Sequence, residues 1–174
     1  AYGIYDLLKK KGGSCVVIVS NTISQGGVHM DLCDMLNYAC NQDRNEARIL
    51  SILEQYDGSN MTMAQGLYAT TKYALARWVR RISASWGANG VRINAVAPGN
   101  VRTPLTAAMG DRATAALAGL PIPINYQTGD PLLDPVDIAN VLVFLVSPAA
   151  HGVNGNIMFV DGGTDALLNS EKVY

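Results

Sequence analysis

The stretch that decides the fold reads Val91-Arg92-Ile93-Asn94-Ala95-Val96-Ala97-Pro98-Gly99. Its first seven residues alternate as in a β-strand, and its last two predict the turn that ends the strand. The preceding residues 64–86 repeat apolar side chains every three or four positions, and Gly87 and Gly90 stop the repeat. A long helix with one buried face is therefore expected to lead into this strand.

Two further strands and a second helix are predicted on either side of this pair. Residues 15–19 are β-branched or apolar throughout, which is typical of a parallel strand buried on both faces. Residues 135–146 form an apolar helix that Asp134 can cap, and residues 157–160 form a last short strand. Strand, helix, strand, helix, strand in this order predicts an α/β fold with a parallel sheet and right-handed crossovers.

Composition narrows the class of protein. The 174 residues are 49% hydrophobic with a net charge of −1, which predicts one soluble domain and excludes disorder. The longest apolar run, residues 141–146, is too short to cross a bilayer, so no membrane partner and a cytoplasmic location are expected. Near-neutral charge argues against a nucleic-acid partner. Three cysteines without paired spacing favour reduced thiols.

Two segments interrupt the regular alternation of strands and helices. Residues 21–67 are an insertion with a predicted helix over residues 43–56, and it precedes the long helix. Residues 102–130 hold several prolines and glycines and predict an irregular flap. Both segments are expected to lie next to the functional site.

The long helix carries a pair of side chains suited to proton transfer. Tyr68 and Lys72 are one helical turn apart and therefore lie on the same face. An ammonium group held a few ångströms from a phenol stabilises the phenolate and so assists acid/base chemistry. A second match, Tyr5 and Lys9, contains the acidic Asp6, which opposes phenolate formation, and it is interpreted as part of a surface helix.

The context of Tyr68 resembles the short-chain dehydrogenase/reductase family over almost the whole chain. Residues 13–20, Gly-Ser-Cys-Val-Val-Ile-Val-Ser, are similar to the strand that delivers the family's catalytic serine. Residues 94–103, Asn-Ala-Val-Ala-Pro-Gly-Asn-Val-Arg-Thr, look like its nicotinamide-binding turn. Residues 155–163 resemble its last strand with the Asp-Gly-Gly ending.

This resemblance implies a Rossmann-like, doubly wound parallel sheet and an oxidoreductase that uses NAD or NADP. The implied reaction is hydride transfer between the cofactor and a ketone or secondary alcohol, in a homo-oligomer that uses the long helix and last strand as contacts, anchored by Trp86 or Phe159. The implied catalytic residues are Ser20, Tyr68 and Lys72. Those implied to bind the cofactor are Tyr68, Lys72, Pro98, Gly99, Val101 and Thr103.

The chain also departs from the family pattern. A Gly-rich phosphate-binding turn is not found in it, and neither is the asparagine that completes the proton relay. Residues 1–174 are therefore interpreted as a single partial domain without the N-terminal nucleotide-binding half. The first strand is left with an open edge or a partner supplied from elsewhere. The alternative function is an inactive fragment that acts only through binding or assembly.

Several assignments remain open at the sequence level. Thr22 or Ser24 replaces Ser20 if the match is shifted, and Thr103 has a second possible role as a helix cap before Pro104. Metal binding is not predicted, because His29, Asp31 and Cys33 have no fourth ligand at a fitting distance in sequence.

The insertion bears on the substrate. Together with the C-terminal sequence it resembles the subgroup containing 3α-hydroxysteroid dehydrogenase/carbonyl reductase, which implies a steroid or another bulky apolar ketone. The expected apolar wall consists of Tyr56, Met61, Met63, Leu67, Leu105 and Met109. The alternative is that the insertion only covers a helix face and changes oligomer packing.

Overall fold

The computed structural model describes residues 2–42, 50–51, 53–55, 61–108, 110 and 131–172. The predicted helix over residues 43–56 lies mostly outside the described residues, as do most of the 102–130 flap, Tyr56 and Met109. The helices with described bounds are α1 (Tyr2–Lys11), α2 (Met30–Gln42), α3 (Met61–Gly87), α4 (Pro104–Ala108), α5 (Pro135–Val146) and α6 (Thr164–Leu168). The strands are β1 (Ser14–Ile18), β2 (Arg92–Pro98) and β3 (Ile157–Val160).

The three strands form one parallel sheet in the order β1-β2-β3. β2 is central, and its side chains from Ile93 to Ala97 are buried. The parallel α/β class, the three strands, the long helix and the helix over residues 135–146 are thus confirmed, with boundaries within three residues of those predicted.

Helices cover both faces of the sheet. On one face, Val79 and Ile82 of α3 pack with Ile93 and Ala95 of β2. On the other, Ile138 and Leu145 of α5 pack against Val96. Successive side chains of a strand point to opposite faces, so β2 contributes to both hydrophobic clusters. This is the doubly wound, Rossmann-like arrangement.

The first strand is less buried than its apolar sequence predicts, whereas the open edge expected for it is present among the described residues. The residues of β1 are half-buried, and Ile18 is 50% exposed. The physical reason is the position of β1 at one edge of the sheet, where β2 is its only described neighbour. An apolar sequence that is suited to an interior strand is here only partly covered.

Residues 29–34, which belong to the predicted insertion, pack on the outer face of α3. The backbone N–H of His29 donates to Thr70 Oγ1 at 2.9 Å, next to Gly66. Arg77 donates to both Cys33 Sγ and Asp34 Oδ1. Gly66, Thr70 and Arg77 share one face of a helix with 3.6 residues per turn, roughly opposite the face that packs on the sheet. α2 therefore covers the side of α3 that points away from the core.

The electrostatics of this contact favour a charged Arg77. Its hydrogen bonds to Cys33 and Asp34 raise the pKa of the guanidinium. On β1, burial raises the pKa of the Cys15 thiol, which favours its neutral form. Cys15 and Cys33 are both free thiols.

The expected role of Trp86 as an anchor for oligomer contacts is wrong. Its side chain is only 3% exposed, stacks on Tyr5 at 4.6 Å between ring centroids and meets Trp78 edge-on. Tyr5 thereby ties α1 to the core, so that α1 is packed on one side rather than only a surface helix. No described helix is both long and apolar enough to span a membrane.

Gly99 marks the closest approach between the ends of β2 and β3. A Cβ atom at this position would lie 2.8 Å from both Cα and Cβ of Asp161. Atoms of the backbone cannot move aside as a flexible side chain can, so only glycine fits. The Pro98-Gly99 turn is thus held directly against the end of the neighbouring strand.

We expect Gly99→Ala to lower the free energy of unfolding by about 1–3 kcal/mol, the usual cost of overpacking. Gly152→Ala is the matched control, because a Cβ there meets nothing within 4 Å, and it should change stability by less than about 0.5 kcal/mol. Urea unfolding of both variants measures the difference. Equal stabilities would show that the Gly99 contact does not constrain the fold.

Candidate active site

The carboxyl ends of the three strands meet at one edge of the sheet. Pairing sets Ile18 opposite Val96 and Pro98 opposite Val160. The N–H of Val19 still donates to the carbonyl of Val96 at 2.8 Å, so the pairing persists beyond β1. Ser20 therefore follows its strand at the same edge as the Pro98-Gly99 turn. In open parallel α/β sheets this edge is where ligands bind.

The catalytic pair proposed from the sequence lies on the core-facing stripe of α3. Tyr68 and Lys72 continue the helical row that buries Val79 and Trp86. Tyr68 lies about 27 Å from Trp86 along the helix axis, whereas the seven residues of β2 extend only about 23 Å. α3 leads into β2 through a short turn, so the helix and the strand run in opposite directions from that turn. Because the helix is the longer of the two, we infer that its side-chain row at Tyr68 reaches beyond the carboxyl end of β2.

The local geometry of the pair agrees with its spacing. Lys72 Nζ lies 5.7 Å from the centroid of the Tyr68 ring. Tyr68 is 49% exposed, and its hydroxyl makes no hydrogen bond to another described residue. A cation thus lies beside the ring of an accessible phenol, an arrangement compatible with general acid/base chemistry.

Ser20 is buried and caps the short 3₁₀ turn Asn21–Ser24. Its backbone is extended, with φ −158° and ψ 151°. Its Oγ accepts from Thr22 N at 3.3 Å and from Thr22 Oγ1 at 3.1 Å. Of the three hydroxyls considered at this turn, Ser20 thus stands at its start, next to the strand. The described residues include no hydrogen bond between Ser20 and Tyr68.

The turn after β2 is fixed by its own hydrogen bonds. Val101 pairs with Leu133 in a parallel bridge, and Thr106 Oγ1 donates to the Val101 carbonyl at 2.9 Å. Thr103 Oγ1 accepts from Thr106 N at 3.2 Å, so Thr103 does act as a cap for α4. Val101 and Thr103 are both half-buried. Hydrogen bonds thus fix the segment that follows Pro98 and Gly99 and contains Val101 and Thr103, at the edge of the sheet where β1 leads to Ser20.

Asn21 and Asp161 were missed by the sequence analysis as parts of this site. The buried Asn21 Nδ2 donates to Asp161 Oδ2 at 3.5 Å. Asp161 belongs to the Asp-Gly-Gly ending and also accepts from the backbone N–H groups of Gly163 and Asp165. In the sequence, only the Asp-Gly-Gly motif pointed to Asp161. Its contact with Asn21 could not be predicted, because the two residues are 140 positions apart.

The residues considered for a metal have other roles where their contacts are known. Cys33 is fully buried between α2 and α3, with its Sγ 3.5 Å from Arg77 Nη1. Among the described residues, no three His, Cys, Asp or Glu side chains gather in a way that suits a metal ion.

Comparison with known proteins places the chain in a family. A family model described as enoyl-(acyl carrier protein) reductase matches residues 32–165. The 3-alpha-hydroxysteroid dehydrogenase/carbonyl reductase of Comamonas testosteroni is 36% identical over 125 residues, which are 71% of this chain and 46% of that protein. This chain thus spans less than half of that relative.

Solved structures share the fold. The 3-alpha-hydroxysteroid dehydrogenase of Pseudomonas sp. B-0831, complexed with NADH, superposes with a TM-score of 0.79 at 28% identity, over 99% of this chain and 63% of that one. A putative 2-deoxy-d-gluconate 3-dehydrogenase from Agrobacterium tumefaciens with bound NADP gives 0.61 at 25% identity, over 95% and 52%. With a family match over more than half of its residues, the chain belongs to the short-chain dehydrogenase/reductase family.

Proposed function

We propose that the protein carrying this chain is an oxidoreductase that transfers a hydride between NAD or NADP and a ketone or secondary alcohol. The observation that supports this most directly is that the strands leading to Ser20 and to the turn of residues 98–103 end at the same carboxyl edge of the sheet. The Tyr68–Lys72 pair lies on the side-chain row of α3 that packs on the sheet, and from the length of the helix we infer that this row extends toward the same edge. Membership of the family and the NADH- and NADP-bound neighbours add independent support.

The residues near the turn after β2 fit the nicotinamide end of such a cofactor. Half-buried Val101 offers an apolar surface. Thr103 offers a hydroxyl, and the ammonium of Lys72 can donate to ribose hydroxyls. The bound cofactor supplies or accepts the hydride.

The protein's own groups handle the proton and the charge on oxygen. Ser20 donates a hydrogen bond from its hydroxyl to the substrate oxygen and stabilises negative charge there, while keeping its own proton. Tyr68 gives a proton to that oxygen during reduction and takes one during oxidation. Lys72 stabilises the phenolate form of Tyr68 and also binds the cofactor, so one cation serves both purposes.

A second candidate is a fragment that keeps the fold but acts only through binding or assembly. The open edge of β1, with Ile18 half exposed, favours it for the chain in isolation. Titration with NADH and NADPH, followed by nicotinamide fluorescence, separates the two. Binding by a longer natural form but not by residues 1–174 supports the enzyme, whereas no binding by either supports the second candidate.

The catalytic assignment predicts the effect of two substitutions in the full-length protein. Tyr68→Phe and Lys72→Met should each lower kcat/KM by about 10²–10⁴-fold, the usual contribution of general acid/base catalysis. Lys72→Met should also weaken NADH binding, measured by fluorescence titration. Tyr5→Phe is the matched control, because it keeps the ring that stacks on Trp86, and its activity should be unchanged. A larger loss at Tyr5 than at Tyr68 would contradict the assignment.

For the substrate, we propose a steroid or another bulky apolar ketone. The similarity to the Comamonas protein supports this class. Met63 and Leu67 lie on α3 just before Tyr68, and Leu105 on α4 is 74% exposed. The described helix α2 packs on the outer face of α3, which also carries Met63, so among the described residues the proposed apolar wall depends on Leu67 and Leu105 rather than on α2.

We expect Leu105→Ala to lower kcat/KM for a 3-ketosteroid by about 10-fold, because apolar contact with the ring system is lost. Activity on a small aliphatic ketone should change by less than about 2-fold, because such a ketone is too small to contact Leu105. Leu7→Ala is the control, because Leu7 is also an exposed leucine, at 58%. It lies on α1, which leads to the amino end of β1 and not to the carboxyl edge of the sheet. Equal effects of Leu105→Ala on both ketones, or no steroid activity in the wild type, would refute the substrate class.

A further inference from the structure

The Ser20 hydroxyl already accepts two hydrogen bonds and remains able to donate one. Its oxygen accepts from Thr22 N at 3.3 Å and from Thr22 Oγ1 at 3.1 Å. A serine hydroxyl has two acceptor lone pairs and one proton. With both lone pairs engaged by Thr22, the group can only donate. Stabilising negative charge on a substrate oxygen requires such a donor.

The turn that holds this geometry is tied to the C-terminal part of the chain. Asn21 Nδ2 donates to the buried carboxylate of Asp161, and Asn169 Nδ2 donates to the carbonyl of Ser24 at 3.1 Å. Both ends of the 3₁₀ turn are thus fixed from outside. Thr22, in the middle, is held at its place relative to Ser20 and is not free to rotate away with the backbone.

We propose that Thr22 is a positioning residue for Ser20, an inference that rests on the proposed function. The Thr22 hydroxyl donates its hydrogen bond to Ser20 Oγ, so Ser20 does not donate its own proton back to Thr22 Oγ1. The proton stays available for the oxygen of the substrate. Hydrogen bonds in a chain also polarise one another, so the Thr22 bond makes Ser20 a stronger donor.

The test compares two substitutions of Thr22 in the full-length protein. Thr22→Val keeps the branched shape but removes the hydroxyl, and kcat should fall about 10-fold, the kinetic equivalent of one hydrogen bond. Thr22→Ser restores the hydroxyl and should return kcat to within about 3-fold of the wild type, because serine loses only a methyl group. The dissociation constant of NADH should be unchanged in both variants.

Ser24→Ala is the matched control within the same turn. Its hydroxyl donates to the Asn21 carbonyl at 3.1 Å and does not reach Ser20 Oγ. Its removal therefore tests the integrity of the turn without touching the proposed bond, and kcat should stay within about 2-fold. If Ser24→Ala lowers kcat as much as Thr22→Val does, the effect belongs to turn stability and the inference is overturned.

A double substitution distinguishes positioning from a general structural role. In a Ser20→Ala background, Thr22→Val should have no further effect on kcat, because the group that it positions is gone. Equal losses in both backgrounds would overturn the inference while leaving the proposed function intact. The same holds if Ser20→Ala is fully active and Thr22→Val is inactive, since Thr22 would then itself be the catalytic hydroxyl. If Tyr68→Phe is as active as the wild type, the proposed function fails first.

Discussion

The parallel pairing of β2 with both β1 and β3 is the constraint on which the rest of the molecule depends. Parallel strands bring their carboxyl ends to the same edge of the sheet. Here that edge collects Ser20, the Pro98-Gly99 turn and Asp161, which are far apart in sequence. Close contact between Gly99 and Asp161 then fixes the ends of β2 and β3 against each other.

The helix that carries Tyr68 and Lys72 is held from two sides. Its inner face packs on the sheet through Val79 and Trp86. Its outer face is covered by α2 through the hydrogen bonds of Thr70 and Arg77. A helix packed on both faces cannot slide easily along its axis, so Tyr68 and Lys72 are held in place relative to the sheet. Helix α2 therefore stabilises the helix that carries the proposed catalytic pair.

Much of the fold could be predicted because its signals are local. The alternation of residues 91–97, the three- and four-residue repeat before it and the cap at Asp134 each depend on neighbouring residues. Helix α2 was not predicted, although Leu32, Cys33 and Leu36 recur at helical spacing. Its contact with Arg77 of α3 crosses 44 positions and has no local signal in the sequence.

The features that could not be predicted depend on contacts between distant residues. Buried Asn94 would be an unsatisfied polar group if its amide did not bond Val153 and Asn156. Trp86 is buried by Tyr5 from another helix. Tyr68 and Lys72 were proposed from their helical spacing together with the neighbouring segments that resemble the family, because Tyr5 and Lys9 share the same spacing. The bond from Thr22 to Ser20 depends on a turn conformation that the sequence does not specify.

The most direct measurement is a crystal structure of the full-length protein with a nicotinamide cofactor and a ketone bound. The proposed roles predict a carbonyl oxygen within hydrogen-bonding distance of both Ser20 Oγ and Tyr68 Oη, with Thr22 still bonded to Ser20. They also predict the nicotinamide against residues 98–103. A ketone that contacts neither hydroxyl, or a nicotinamide bound away from the carboxyl edge of the sheet, would contradict the account.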